Sequence, residues 1–161
     1  MSQHTAITTW HRGDATFTDN RYSRVHRWQF DGGLEVSASA SPHIVRPPLS
    51  DPSAVDPEEA FVASLSSCHL LWFLSIAAAA GWVVDSYTDE AVGVLAKDEA
   101  GRDAITVVTL RPRVVYRDRL PTPEQHQQLH EQAHHHCFLA NSVRTEIRCE
   151  PVAVLHSPVP S

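Results

Sequence analysis

The feature that most constrains this chain is one long apolar segment, residues 60–84, preceded by a strong signal for a helix start. In Asp56-Pro57-Glu58-Glu59, the aspartate suits the N-cap, the proline suits the first helical position, and the second glutamate suits a capping box. We expect the helix to end near Ala80, because Gly81 can adopt the left-handed conformation that terminates helices. Nearly all faces of this helix are apolar or small, so its own sheet and another subunit must enclose it.

The same segment raises the question of a membrane span, but its polar residues favour a buried core helix. These residues are Ser64, Ser66, Ser67, Cys68, His69 and Ser75. The first ten residues have neither the cationic start nor the apolar core of a secretory signal, so we expect a cytoplasmic protein. The formal net charge of -6 is unlike the basic surface of a nucleic-acid or anionic-membrane binder, so we expect neither partner.

Short β-prone runs before the helix predict an antiparallel meander over residues 5–10, 24–30 and 34–40. Asp31-Gly32-Gly33 supplies the turn between the last two runs. Four prolines then disfavour helix and central strand in residues 41–55, so we expect this segment to be an ordered surface loop.

Strand and helix signals alternate in the second half of the chain. Residues 98–103 are polar and rich in turn formers, and they predict a hairpin between two β-prone runs. Thr122-Pro123-Glu124-Gln125 repeats the capping pattern and predicts a polar helix to about His136. The β-prone runs are residues 82–97, 104–116 and 143–154. These elements, with no internal repeat or linker, predict one α+β domain over residues 1–161.

The three cysteines, Cys68, Cys137 and Cys149, are an odd number for a disulfide framework in a reducing compartment. Each of them is therefore either a thiol that takes part in chemistry or a simply buried residue. Cys68 lies twelve residues into the apolar helix, Cys137 directly follows the polar helix, and Cys149 lies within the last strand. Free cysteines are usually small buried hydrophobic residues, so composition alone favours burial.

The helix that carries Cys68 resembles the Asn-Pro-Glu-x-Leu-x-Ala-Ala-x-x-x-x-Cys helix of the OsmC/Ohr family of thiol peroxidases. The matching segment is Asp56-Pro57-Glu58-Glu59-Ala60-Phe61-Val62-Ala63-Ser64-Leu65-Ser66-Ser67-Cys68. Cys137 follows 69 residues later, about the family's spacing, in a turn that resembles its Cys-Pro-x-Ser segment. Leu34-Glu35-Val36-Ser37 and Ser41-Pro42 also fit, so the resemblance covers nearly the whole chain. The chain departs from the family at Asp56 (usually Asn), at Phe138 (usually Pro), and in its proline-rich loop.

The resemblance implies an OsmC-like α+β fold, in which antiparallel sheets from both halves of the chain pack around a long buried central helix in an intertwined homodimer. It also implies a peroxidatic cysteine at Cys68 and a resolving cysteine at Cys137, arranged by a glutamate and an arginine. The Cys68 thiolate attacks the peroxide bond in this scheme, and Cys137 traps the sulfenic acid as a disulfide. The scheme needs no cofactor and no metal, and Cys149 has no matching role.

Glu58 matches the family's glutamate, ten residues before Cys68. Ten residues of straight helix span about 15 Å, too far for both side chains to reach one site within one chain. An antiparallel partner helix would bring Glu58 of the partner subunit beside Cys68, so we expect the site at the interface of a two-fold dimer. Without the resemblance, Glu58 is better explained as a first-turn partner of the helix dipole.

A cation is expected to stabilise the Cys68 thiolate, because this residue lies too far from the helix N-terminus to use the dipole. The family's arginine lies shortly before the turn of the N-terminal hairpin, where Arg24 is the best match. Arg21 and Arg27 are the alternatives. Strand alternation places Arg24 on the same face as Trp28 and Arg27 on the other face. A solvent-facing arginine on an edge strand remains the simpler alternative.

The resemblance implies an enzyme that reduces organic hydroperoxides, and hydrogen peroxide less well, with a dithiol reductant such as a lipoyl-bearing protein or a small thiol. Two alternatives remain open: a ligand-binding or structural dimer with inert cysteines, and a different thiol-dependent reaction on the same scaffold. His69 projects about 100° away from Cys68 on the helix, so we expect a hydrogen-bonded core or pocket residue rather than a catalytic base. Candidates for an apolar pocket, or for plain core, are Phe61, Leu65, Leu71, Trp72 and Phe138.

Eleven histidines raise a metal hypothesis. His126, His130 and His134 recur every four residues on one helix face, and His134-His135-His136 directly precedes Cys137, so a His-His-Cys site can be drawn. No acidic or Cys-x-x-Cys partner completes a convincing set of ligands. This favours a solvated histidine-rich face without a metal.

Overall fold

The computed structural model describes residues 1–152 and 155–156. The chain divides into two compact units, Met1–Ala60 and Phe61–Ser161. The single domain over residues 1–161 stays a prediction.

The N-terminal unit contains the predicted antiparallel meander. Its strands are β1 (Ala6–Thr9), β2 (His26–Phe30) and β3 (Glu35–Ala38), paired in the order β1-β2-β3. The turn after β2 is closed by the Gly33 amide, which donates to the Phe30 carbonyl at 2.9 Å. The proline-rich segment is ordered as expected, because the Arg24 amide donates to the Leu49 carbonyl (2.8 Å) and Asp51 N–H to Ser39 Oγ (3.0 Å).

Helix α1 spans Pro57–Ala79, close to the predicted limits. The capping box is present: the Asp56 amide donates to Glu59 Oε1 and the Glu59 amide to Asp56 Oδ1, both at 2.8 Å. Gly81 ends the helix with a φ of 77°, and the Trp82 amide donates to the Ala77 carbonyl at 2.9 Å. Both helix signals in the sequence are thus confirmed.

Among its described residues, the unit Phe61–Ser161 contains two three-stranded sheets and a second helix. The sheet orders are β4-β7-β9 and β5-β6-β8. Helix α2 begins with the predicted capping box of Thr122 and Gln125 and ends at His136. The elements are β4 (Val83–Asp89), β5 (Val92–Lys97), β6 (Asp103–Leu110), β7 (Pro112–Arg117), α2 (Pro123–His136), a 3-10 turn (Ala140–Ser142), β8 (Glu146–Cys149) and β9 (Leu155–His156).

Both arms of the predicted hairpin are split into two strands, which corrects the expectation of continuous runs over residues 82–97 and 104–116. The Asp89 carboxylate stabilises the interruption between the strands. Its Oδ1 accepts from the Arg111 amide at 2.6 Å, and its Oδ2 accepts from Ser66 Oγ at 2.5 Å. Pro112 adds to the break because it has no N–H to donate to a ladder. The hairpin therefore passes from one sheet into the other, with β5 paired to β6 and β4 to β7.

The predicted last strand, residues 143–154, is shorter and pairs differently from its neighbours. β8 runs parallel to β6, and β9 runs parallel to β7, whereas the other strand pairs are antiparallel. Residues 153–154 of the predicted strand lie outside the described residues. Parallel pairing follows from the crossover through α2, which returns the chain to the end at which β6 begins.

One edge of α1 forms the core of this unit. Leu65 packs with Val108 and Leu110 of β6, whereas Phe73 and Ala77 belong to a second apolar cluster. That second cluster also contains Val114, Tyr116, Leu129 and Ala133, from β7 and α2. His69 is the only polar residue among the buried positions of α1, and it lies between these apolar residues along the helix.

The other side of α1 is exposed to solvent in the described part of the single chain. Leu71 is 64% exposed there. The exposed positions are Ala63, Ser64, Ser67, Leu71, Leu74, Ser75 and Ala78. Coverage of this face by another subunit stays a prediction.

By length and composition alone, α1 could cross a membrane. The core helix of a soluble protein meets the same criterion. The packing of one edge of α1 against two sheets, with a buried histidine on that edge, is the arrangement of a core helix.

The close approach of β5 to α1 yields a stability prediction. A Cβ atom on Gly93 would lie 2.5 Å from Cγ2 of Val62 and 3.4 Å from Cγ2 of Ile105. We expect Gly93→Ala to lower the free energy of unfolding by about 1–3 kcal/mol, because the helix must move away from the strand. Urea unfolding followed by circular dichroism measures this loss.

Gly32→Ala is the matched control, since a Cβ at Gly32 would meet nothing within 4 Å. Equal urea midpoints for the two variants would contradict the close approach of β5 to α1.

Candidate active site

The structure brings Cys68 and Cys137 together. Cys68 lies in the middle of α1, and Cys137 is the C-cap residue of α2. The Cys137 side chain lies close enough to Cys68 to interact with it. Neither thiol is in a disulfide in the structure. The two cysteines that the sequence singled out are therefore partners in space.

Cys137 is held rigidly and is 1% exposed. Its amide donates to the His134 carbonyl at 3.3 Å, its carbonyl accepts from the Asn141 amide at 3.0 Å, and its Sγ accepts from the Ala140 amide at 3.4 Å. Burial, followed by the hydrogen bond to Cys68, raises the pKa of the Cys137 thiol to about 11. Cys137 is therefore a protonated donor at neutral pH.

An apolar depression of about 290 Å³ opens beside Cys68. The helical residues that line it recur at positions i, i+3, i+4 and i+7, so they form one stripe of α1. Phe138 closes the depression from the turn after α2, with its ring 5.4 Å from that of Trp72 in an edge-on arrangement. The lining residues are Cys68, Leu71, Trp72, Ser75 and Phe138.

Three of the five pocket candidates, Leu71, Trp72 and Phe138, line this depression. The other two, Phe61 and Leu65, pack into the apolar core with Val108 instead. The sequence could not separate the two groups, because all five are large apolar residues near one of the cysteines.

The N-terminal unit contains the three candidate arginines. Arg24 donates to the Asn20 carbonyl at 2.9 Å and to Asn20 Oδ1 at 2.8 Å, and its guanidinium lies 3.9 Å from the Tyr22 ring centroid. Arg27 forms an exposed ion pair with Glu35 at 3.2 Å. Arg21 is exposed. Burial alternates along the strand, with Arg24 half-buried and Arg27 exposed, as strand parity predicted.

Glu58 lies in the first turn of α1 and is half-buried. Its Oε2 is buried and has no hydrogen-bond partner among the described residues. A buried carboxylate oxygen without a donor is unfavourable, so this atom is suited to a cation or donor from elsewhere. The roles of Glu58 and Arg24 stay predictions.

The prediction of a solvated histidine-rich face on α2 is wrong for two of the histidines. His126 and His130 are buried, whereas His134, His135 and His136 are exposed. The inward face of the helix consists of His126, Leu129, His130 and Ala133. The spacing of Leu129 and Ala133 was the signal that could have identified this face, because it places both histidines on the apolar side.

The buried histidines form hydrogen bonds that sequence reasoning missed. His126 Nδ1 lies 2.9 Å from Tyr116 Oη, and His130 Nδ1 lies 2.9 Å from His69 Nε2. His130 also stacks on Phe73, with ring centroids 4.3 Å apart. His69 is thus the hydrogen-bonded core residue that was predicted, although its partner was not.

Cys149, for which the sequence suggested no role, lies next to this group. Its Sγ is 3.7 Å from His69 Nε2. Burial, with the nearby Asp89 and Glu150 carboxylates, raises the pKa of the Cys149 thiol to about 12. Cys149 is therefore a half-buried thiol separate from the Cys68 and Cys137 pair.

Comparison with known families and structures gives a consistent result. The sequence model of the family described as OsmC-like protein matches residues 50–151. An OsmC-like protein of unknown function from Vibrio cholerae is 56% identical, with a TM-score of 0.92, over 94% of this chain and 100% of that chain. No curated protein matches the chain.

More distant structures share the fold. An organic hydroperoxide resistance protein from Elizabethkingia anophelis, with crystallant-derived thiocyanate bound, is 20% identical with a TM-score of 0.65, over 98% of both chains. The organic hydroperoxide resistance protein OhrB of Bacillus subtilis is 16% identical with a TM-score of 0.60, over 94% of this chain and 98% of that chain.

The raised pKa of Cys137 predicts how its reactivity depends on pH. In reduced protein, we expect the rate of Cys137 alkylation by iodoacetamide to rise about tenfold per pH unit from pH 7 to 10, because only the thiolate reacts. The thiolate fraction has no plateau in this range if the pKa is about 11. Peptide mass spectrometry of quenched samples measures the rate at each cysteine.

The same reaction in denaturant is the control, and there the rate should level off above about pH 8.5, the ordinary pKa of a cysteine. A plateau below pH 9 in the folded protein would contradict the environment described for Cys137.

Proposed function

The chain belongs to the family of OsmC-like proteins, and we propose that it is a peroxidase that reduces organic hydroperoxides with two cysteines. The observation that carries this proposal is the proximity of the Cys137 and Cys68 side chains at the edge of an apolar depression. Family membership and a fold shared with organic hydroperoxide resistance proteins support a role in peroxide resistance.

The chemistry balances over two steps. The Cys68 thiolate attacks one peroxide oxygen and the O–O bond breaks. The other oxygen leaves and takes a proton to become an alcohol, while Cys68 becomes a sulfenic acid. Cys137 then attacks the Cys68 sulfur and the S–O bond breaks. The hydroxide that leaves takes the Cys137 proton to form water, so two thiols have lost two electrons to the peroxide.

The raised pKa of Cys137 suits the second role. A thiol that stays protonated at neutral pH does not compete for peroxide. Attack on the sulfenic acid requires the two sulfurs to come together, and the proximity of the two side chains supports this step. An external dithiol would then reduce the disulfide by exchange, and the resemblance suggests a lipoyl protein.

The apolar depression supports organic hydroperoxides over hydrogen peroxide. The rings of Trp72 and Phe138 can cover an alkyl or aryl group while the peroxide bond faces Cys68. Hydrogen peroxide has no apolar group to bury and gains nothing from these side chains. Phe138 is 69% exposed, so it lies at the mouth of the depression where substrate would enter.

A homodimer accounts for two further observations. The exposed face of α1 is rich in Ala and Ser, which allows a second helix to approach closely. The unpartnered Oε2 of Glu58 needs a donor. We assign Glu58 and Arg24 to the activation of Cys68 in the dimer on the strength of the family resemblance alone. The present partners of Arg24, Asn20 and Tyr22, would hold its guanidinium in a fixed orientation.

Mass spectrometry of the oxidised protein tests the proposal. We expect one equivalent of cumene hydroperoxide, without reductant, to remove two hydrogens from the reduced protein within seconds and to link Cys68 to Cys137. Hydrogen peroxide should do so more slowly, because it cannot use the apolar depression. Peptide mapping after rapid acid quench identifies the linkage.

Cys149→Ser is the matched control, since Cys149 has no role in this reaction and should not change the rate or the linkage. If Cys68 and Cys137 stay free while the protein remains folded, the fold serves a ligand-binding or structural dimer with inert cysteines instead.

The arginine assignment predicts a rate effect without loss of the fold. We expect Arg24→Ala to slow cumene hydroperoxide consumption by at least about 100-fold, because the thiolate loses its cation. Stopped-flow kinetics with an artificial dithiol measure the rate, and circular dichroism checks the fold. Arg27→Ala, which loses only the exposed ion pair with Glu35, is the matched control. Normal turnover by Arg24→Ala would transfer the role to Arg21 or Arg27.

A further inference from the structure

Three metal-ligating side chains from three different elements converge beneath α1. They are His69 of α1, His130 of α2 and Cys149 of β8. His69 Nε2 lies 2.9 Å from His130 Nδ1 and 3.7 Å from Cys149 Sγ, and the three atoms lie within 4.8 Å of one another. Both histidines are 1% exposed.

We propose that His69 Nε2, His130 Nδ1 and Cys149 Sγ bind one zinc ion. Zinc takes nitrogen at about 2.0–2.1 Å and sulfur at about 2.3 Å, so tetrahedral geometry separates nitrogen from sulfur by about 3.6 Å and two nitrogens by about 3.3 Å. The observed nitrogen to sulfur distance of 3.7 Å already agrees. The two nitrogens need to move apart by a few tenths of an ångström from their 2.9 Å contact, and His130 Nδ1 must come to about 3.6 Å from Cys149 Sγ, from which it lies within 4.8 Å.

The surroundings of His69, His130 and Cys149 favour a bound soft or borderline cation over a metal-free pair of hydrogen-bonded histidines. Both imidazole rings are buried, and each offers one ring nitrogen to the cluster. The carboxylates of Asp89 and Glu150 lie close enough to Cys149 to favour a cation there. Two imidazoles and one thiolate form a donor set typical of zinc and copper.

One unpartnered polar atom lies near the three ligands. Tyr87 Oη is buried without a hydrogen-bond partner among the described residues, and burial, followed by the proximity of Asp89 and Cys149, raises the pKa of the phenol. This hydroxyl is suited to occupy the fourth zinc position or to bond a water there. A metal thus gives a role to a polar group that the fold otherwise leaves unpaired.

The position of the site gives the ion a structural effect. A zinc at these residues would join α1, α2 and β8, which otherwise meet through apolar contacts and the polar contacts of His69 with His130 and Cys149. Cys68 is adjacent to His69, and Cys137 ends the helix that carries His130, so the proposed zinc lies on the same two helices as the proposed redox pair. Metal binding is nevertheless independent of peroxidase activity and is tested without it.

Cobalt(II) is the spectroscopic probe for this test, because a bound thiolate gives it a charge-transfer band that a site with only histidine ligands lacks. Untagged, chelator-treated protein is titrated with cobalt and then with zinc in competition. We expect one equivalent to bind with a thiolate band, zinc to displace it, and zinc to raise the melting temperature. Cys149→Ser should abolish the band and weaken zinc binding by more than about tenfold.

Two variants exclude the exposed histidines and the redox pair as the source of binding. His136→Gln and Cys137→Ser should retain both the band and the melting shift. Cys149→Ala, checked by circular dichroism, guards against a folding defect that is specific to serine. The proposal is overturned if the wild-type protein shows no thiolate band, if the band persists in folded Cys149→Ser, or if it is lost in Cys137→Ser.

Discussion

The unit Phe61–Ser161 depends on the need to cover a helix that is apolar or small on nearly every side. One edge of α1 meets both sheets, because β6 and β7 continue one arm of a hairpin across the break at Arg111. Each fully buried side chain such as Leu65 or Phe73 contributes about 1.5–3 kcal/mol, so this edge anchors both sheets to one element. The Asp89 carboxylate stabilises the bend, since it accepts from the Arg111 amide at the break in the ladder and from the Ser66 hydroxyl of α1.

Position on this helix also decides the chemistry of adjacent residues. Cys68 lies on the stripe that borders an apolar depression, whereas His69, one position later, turns inward to His130 and Cys149. The three thiols consequently lie in different surroundings, although they come from one small unit. Cys137 is a buried neighbour of Cys68, and Cys149 is a half-buried neighbour of two buried imidazoles.

Local interactions were predictable from the sequence, and distant ones were not. The capping boxes at Asp56 and Thr122 join groups three residues apart, so their signals are complete within each segment. The bond from the Arg111 amide to Asp89 spans 22 residues, and the parallel pairing of β8 with β6 depends on the whole crossover. The partnership of Cys68 with Cys137 came from a family resemblance, while the burial of His130 required the position of Phe73.

The location of Cys137 at the end of α2 has a consequence for the unfolded chain. The segment between Cys68 and Cys137 contains four strands and the whole of α2. The proposed disulfide would close all five elements into one covalent ring, and chain-entropy arguments assign about 4 kcal/mol to a ring of that size. Oxidation would therefore restrict the unfolded ensemble, and the dithiol that completes the cycle would release it. The protein would therefore resist unfolding most strongly in its oxidised form, before the dithiol reduces the proposed disulfide.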